Sequence, residues 1–193
     1  MDMVLISSVC LTLCTLENDT RQLICDFLKD FTTKSTQRLV ESKALSTMKR
    51  VVKGILDKHR HAFSGMINNL SFENGVYNIG VVGAVARSLF RDGTSNWGRI
   101  VSLVAFGAVL CQHLKEKGWE NTVDQVGQEI ASYLLSYQKD WLLKNNSWDG
   151  FVEFFQGQEP EKAIRCTLLG FVGFAGLWAT LALLMRYFLR FVW

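Results

Sequence analysis

The chain has 193 residues, 49% hydrophobic and 20% charged, with 21 Lys and Arg against 18 Asp and Glu. That length suits one domain with its own core. The composition excludes a disordered or low-complexity polymer, and a net charge of +3 is too slight for phosphate-backbone binding. One proline and four tyrosines argue against a turn-rich β-sandwich and favour helices.

The charge divides unevenly: Ala163 to Trp193 contains only Arg165, Arg186 and Arg190, so residues 1–162 carry 18 basic and 18 acidic side chains. The body is neutral and the tail holds the excess.

In chain order, Met3 to Leu16 is uncharged and apolar but too short to span a bilayer. It follows Asp2 and has no basic n-region or cleavage pattern, so it reads as a lead (1–17) into the first helix, not a signal peptide. Asn18-Asp19-Thr20 supplies cap residues, behind which Leu23, Ile24, Phe27, Leu28 and Phe31 recur at helical spacing. Thr32 to Ser42 is polar and predicts a loop. A second helix runs from about Ala44 through Met48, Val51, Val52, Ile55, His59, Phe63, Met66 and Ile67, with a basic opposite face. Leu70 and Phe72 precede a turn at Glu73-Asn74-Gly75. Ile79, Val82, Val85, Ala86, Leu89 and Phe90 then form a shorter helix ending at Arg91-Asp92-Gly93.

Ile100 to Cys111, IVSLVAFGAVLC, has no solvated face. Twelve residues make about 18 Å of helix, too short to span, which predicts a central core helix. Val126, Ile130, Leu134 and Leu135 mark an amphipathic helix able to cover it. Two aromatic-rich pieces follow, around Trp141 and from Trp148 to Phe155, before Pro160. The expected fold is all-α, a bundle at 18–160 around one hydrophobic helix. Cys166 to Met185 is 20 residues without a charge, about 30 Å as a helix, and predicts a transmembrane tail anchor at 166–185 with the body in the cytosol. Its flanking arginines suit the mitochondrial outer membrane or the endoplasmic reticulum.

Five cysteines without a C-x-x-C pair read as reduced small hydrophobes, and three histidines show no metal-ligand spacing, so neither metal nor cofactor is expected. No nucleophile elbow, phosphate-cradling loop or H-E-x-x-H speaks for an enzyme.

The chemistry concentrates at Asn96-Trp97-Gly98-Arg99, the mouth of the central helix. Asn96 suits an N-cap, Gly98 permits close backbone approach and Trp97 is a large apolar plate. Arg99 cannot bury its guanidinium alone: either it pairs with one of the protein's own acids, such as Asp92, or its fork takes an incoming carboxylate.

Asn96 to Arg99 followed by IVSLVAFG, with WDGFVEFF at Trp148 to Phe155, resembles the first and second homology motifs of the B-cell lymphoma two family of apoptosis regulators. Ala44 to Met66 resembles the third. FRDGTSNWGRIVSL, KDWLLKNNSWDGFVEFF and the HxxAFxGM pattern at His59 to Met66 look most like the myeloid cell leukaemia branch, over about Asn18 to Met185. The resemblance implies a helical bundle whose apolar surface groove accepts an amphipathic death-motif helix from a pro-apoptotic member, forming a heterodimer. By matching position the groove is lined by His59, Phe63, Met66 and Leu70, by Val82, Val85, Ala86 and Leu89, and by Leu103 and Phe106. Arg99 would receive the guest's aspartate, with Asn96, Gly98 and Asp92 beside it. The expected function is pro-survival: capturing such helices at the mitochondrial outer membrane and preventing its permeabilisation. A pore-forming effector of the same fold is the alternative. Where the third motif normally carries a small residue and aspartate, this chain has Val52-Lys53. A lysine repels the arginine that would receive it, so the segment is a poor guest and the host role is favoured. The long N-terminal extension of the myeloid cell leukaemia branch is not matched.

Overall fold

The computed structural model describes residues 2–33, 41–68, 80–119 and 121–156. Among them are seven helices and no strand: α1 (Asp2–Thr33), α2 (Lys43–Asn68), α3 (Gly80–Leu89), α4 (Trp97–Glu116), α5 (Thr122–Tyr137), α6 (Lys139–Lys144) and α7 (Ser147–Gln156). The all-α fold is as expected. Leu70, the Glu73 to Gly75 turn and the apolar tail 166–185 lie outside the described residues.

α4 is the axis. Ile100, Val101, Leu103, Val104, Ala105, Phe106, Ala108, Leu110 and Cys111 are fully buried, and α1, α2, α3 and α5 all pack on it. The central helix is longer than its apolar run. Asn96 starts it and a half-polar last turn carries it to Glu116, giving 20 residues where twelve were expected. At about 30 Å it is long and apolar enough to cross a membrane, yet it is mostly buried in the bundle. The expectation that it is too short to span is thereby corrected, because polar residues in its last turn extend the helix without interrupting it.

α1 and α5 pair antiparallel. Lys29 meets Asp124 at 2.9 Å and Arg21 donates to Gln128 at 2.6 Å, and just beyond α5 Lys139 at the start of α6 meets Glu17 at 3.2 Å. The backbones come close where Gly127 faces Cys25: a Cβ on Gly127 would lie 2.9 Å from the Cys25 sulfur.

Two sequence expectations fail on α1. The helix does not begin at Asn18-Asp19-Thr20 but runs through it, so the apolar lead is continuous with the first helix. Thr20 is fully buried and accepts a 2.9 Å hydrogen bond from Trp148 Nε1, and Leu16 is buried one turn earlier. Packing on both sides of the cap residues outweighs their local preference. Of the loop expected over Thr32 to Ser42, Thr32 and Thr33 are instead helical, and residues 34–40 lie outside the described residues. The Thr32 and Thr33 hydroxyls bond back to the Leu28 and Lys29 carbonyls, and Lys115 Nζ caps the Thr32 carbonyl at 3.2 Å.

The Trp97 plate faces inward. It is 4% exposed and packs edge-on against Trp141 (centroids 4.8 Å apart) and Phe151 (5.5 Å), with Trp148 at 5.9 Å. This aromatic group ties the start of α4 to α6 and α7 and holds the Arg99 site from behind.

Candidate functional site

The site begins in the turn between α3 and α4. After Leu89 the chain turns on Phe90 to Gly93, with Gly93 N donating to the Phe90 carbonyl at 3.0 Å. Gly93 has φ +73°, a backbone conformation suited to glycine, so the chain reverses there without strain. Thr94 N donates to Asp92 Oδ1 at 2.9 Å, fixing the carboxylate within the turn. Asn96 is extended, and its side chain accepts from Arg99 N at 2.9 Å, capping α4 as expected.

That cap places Arg99 on the first turn of α4. Its guanidinium makes a forked pair with Asp92: Nη1 donates to Oδ1, and Nη2 to Oδ2 at 2.7 Å. Nη1 also reaches the Thr94 carbonyl at 2.7 Å. The Arg99 side chain is 19% exposed and that of Asp92 57%, so the pair sits at the surface with the arginine in the wall and the carboxylate on the solvent side. The Arg99 hydrogen bonds hold the Asp92 carboxyl well below the usual carboxylate range, and Asp92 pushes Arg99 further up. Of the two sequence readings, the structure contains the pair with the protein's own acid. The same arrangement presents Arg99 at a fixed place, and a guest carboxylate there has to share or displace Asp92.

The apolar site residues fall on three neighbouring helices. Phe63 on α2, Val82, Val85 and Ala86 on α3, and Leu103 and Phe106 on α4 are all buried in one contiguous core cluster, at 2% exposure or less. Met66 and Leu89 pack against that cluster but remain partly exposed, and His59 is half-buried. Gly98 is buried behind Arg99. Six of the described apolar residues are thus core, and Met66 and Leu89 lie against that core with part of their surface exposed.

Sequence reasoning missed three features. The Thr94 carbonyl is an Arg99 acceptor that no side chain announces. Gly65, beside Met66, faces open space, with nothing within 4 Å of an added Cβ. Ser102, three residues after Arg99, is fully buried with no hydrogen-bond partner for its hydroxyl. Its polarity within an apolar run was the available signal. Cys111 is buried in α4, and its thiol is pushed up to about 12, chiefly by that burial, which makes it inert. Among the described residues no group of three or more His, Cys, Asp and Glu could hold a metal.

Residues 48–148 match the family model described as apoptosis regulator proteins, Bcl-2 family. The chain belongs to the Bcl-2 family, whose members are regulators and not enzymes. It is 35% identical over 98 residues to Bcl-2-like protein 1 of Homo sapiens, covering 51% of this chain and 41% of that protein. With the anti-apoptotic protein NR13 of Gallus gallus the identity is 38% over 78 residues, 39% of this chain and 44% of the relative. Apoptosis regulator R11 of Xenopus laevis matches at 27% over 158 residues, 79% and 76% of the two chains. The chain spans less than half the length of Bcl-2-like protein 1 and of NR13 in these matches.

Proposed function

We propose that this protein is a pro-survival host. It binds the amphipathic death-motif helix of a pro-apoptotic family member across α2, α3 and the start of α4, and anchors by its apolar tail at the mitochondrial outer membrane, whose permeabilisation it prevents. The observation that carries the reading is Arg99, capped into place by Asn96 and standing one helical turn before Leu103 on α4, the helix that shares its core with Phe63, Val82, Val85 and Ala86. An amphipathic helix needs those two things together: an apolar strip for its own apolar face, and a cation at the end of that strip for its acid. Met66, Leu89 and the open side of Gly65 are the apolar surface such a helix meets first. The exposed Lys53 further supports the host role, because it stands where a donated helix would need an aspartate. The anti-apoptotic designation of NR13 agrees with it.

The test is a titration of the purified protein with a peptide carrying a death-motif helix. Arg99→Ala is expected to weaken binding by about 2–5 kcal/mol where the pair is buried by the guest. Unchanged affinity would remove the arginine anchor from the account.

The length of α4 favours a second reading: a helix long and apolar enough to cross a bilayer suits a pore-forming effector of the same fold. Dye release from liposomes by the protein alone, with no added partner, would establish that reading against the first.

A further inference from the structure

α2 is charged unlike the rest of the molecule. It carries six Lys and Arg (Lys43, Lys49, Arg50, Lys53, Lys58 and Arg60) against the single acid Asp57, whereas the other described residues hold nine basic and thirteen acidic side chains. A bundle close to neutral overall therefore has one strongly basic edge and a mildly acidic remainder. Not all of this charge faces outward: Lys49 is engaged by Asp30 at 2.9 Å and Glu41 at 2.8 Å. Lys53 and Arg60 are exposed two turns apart on the side opposite the buried Val52, Ile55, Leu56 and Phe63, and Asp57 between them cannot balance both.

The position of this edge gives it meaning. Arg50 Nη2 donates to the carbonyl of Phe155 at 2.8 Å, so the last turn of α7 is fastened to α2 one turn from Lys53. α7 ends at Gln156, and from there the sequence leads within ten residues to the uncharged stretch Cys166 to Met185. The same last turn carries Phe154, 37% exposed and one of two exposed large hydrophobic side chains among the described residues. An exposed aromatic ring on a turn fastened to a basic helix is a pattern expected where a protein meets the boundary between lipid headgroups and acyl chains.

We propose that the outer face of α2, through Lys53 and Arg60, is a docking surface for an anionic phospholipid bilayer. It would orient the anchored body so that α2 and the end of α7 lie against the headgroups. The inference rests on the tail-anchor reading above and adds to it an orientation and a lipid preference. Each Lys or Arg near an anionic surface strengthens binding, and the effect fades within a Debye length, about 8 Å at physiological salt.

The test adds the full chain to vesicles of phosphatidylcholine alone, or with about one part in five phosphatidylserine, and measures association by flotation at low and high salt. The expected result is association with both, favouring the anionic vesicles by about tenfold or more at low salt. Lys53→Glu/Arg60→Glu is expected to abolish that preference while leaving association with neutral vesicles unchanged. Lys53→Gln/Arg60→Gln, which only removes charge, should reduce it part of the way. Both positions are exposed, and the thermal midpoint of each variant checks that the fold survives.

A preference for anionic lipid that persists in the reversed variant overturns the proposal and leaves the anchor standing. No association with either vesicle overturns the anchor and this proposal together. If the reversed variant keeps its lipid preference but loses affinity for a death-motif peptide, the basic edge serves a protein partner and the lipid assignment falls.

Discussion

At the scale of residues, the site depends on how a few polar groups are satisfied. Asn96 caps α4, Asp92 is fixed by Thr94 N, and Arg99 spans Asp92 and the Thr94 carbonyl, so one short turn closes on itself through side chains. The consequence for pH follows from the direction of the shift. The folded protein holds the Asp92 carboxyl below its ordinary value of 3.8, with the Arg99 hydrogen bonds as the leading cause. The stabilisation from this pair is therefore fully present above the unfolded value and is lost only as pH falls through the lower folded one. An NMR titration of the Asp92 carboxyl should give a midpoint below 3.8 in the native protein and a return towards that value in Arg99→Ala. An unshifted native midpoint would show that the fork does not persist in solution. The N-cap and the alternative of an Asp92 partner were both legible in the sequence, since Asn before an apolar run and an acid seven residues before the arginine are local signals. The Thr94 carbonyl was not, because a backbone acceptor leaves no mark in the residue types.

Elements were legible where hydrophobic period decided them and illegible where packing did. The spacing of Met48, Val51, Val52, Ile55, Phe63 and Ile67 located α2, and all six are buried. At Asn18-Asp19-Thr20 the cap signal was genuine but lost to a contact 128 residues away, the Trp148 hydrogen bond to Thr20, which no local reading contains. The extent of α4 was misjudged for the converse reason: apolar content marks the buried part of a helix, while Gln112, His113, Lys115 and Glu116 continue it. The seam between α4 and α5 requires a small residue at Gly107, where an added Cβ would lie 2.5 Å from Ile130 Cδ1 and 3.5 Å from Val126 Cγ1. Ile130 and Val126 are fully buried and have little room to yield. Gly107→Ala is expected to destabilise the fold by about 1–3 kcal/mol, read as a lowered denaturation midpoint with an unchanged slope. A stability equal to wild type would mean that the seam relaxes without cost.

On the scale of the whole molecule, the residues of the proposed floor are also core. Phe63, Val85, Leu103 and Phe106 hold the bundle together and also underlie the edge where a partner helix would lie. The sequence could mark these residues as apolar and periodic. It could not separate the buried Phe63 from the partly exposed Met66, because that depends on how the helices approach. Charge is divided in the same way: Arg99 stands one turn before Leu103 on α4, and Lys53 and Arg60 lie on the outward face of α2, whose inward face builds the core. Under the two proposals, binding a partner helix and meeting a membrane would fall to opposite faces of α2, and neither would require the other to be dismantled.

The central claim is that Arg99 recognises the acid of a guest helix. A double-mutant cycle tests it most directly, pairing Arg99→Ala in the protein with aspartate to alanine in a death-motif peptide and measuring all four affinities by calorimetry. The account predicts a coupling energy of about 1.5 kcal/mol or more, with the second substitution costing little once the first is made. Strictly additive losses would contradict it, showing that the guest's acid and Arg99 do not meet.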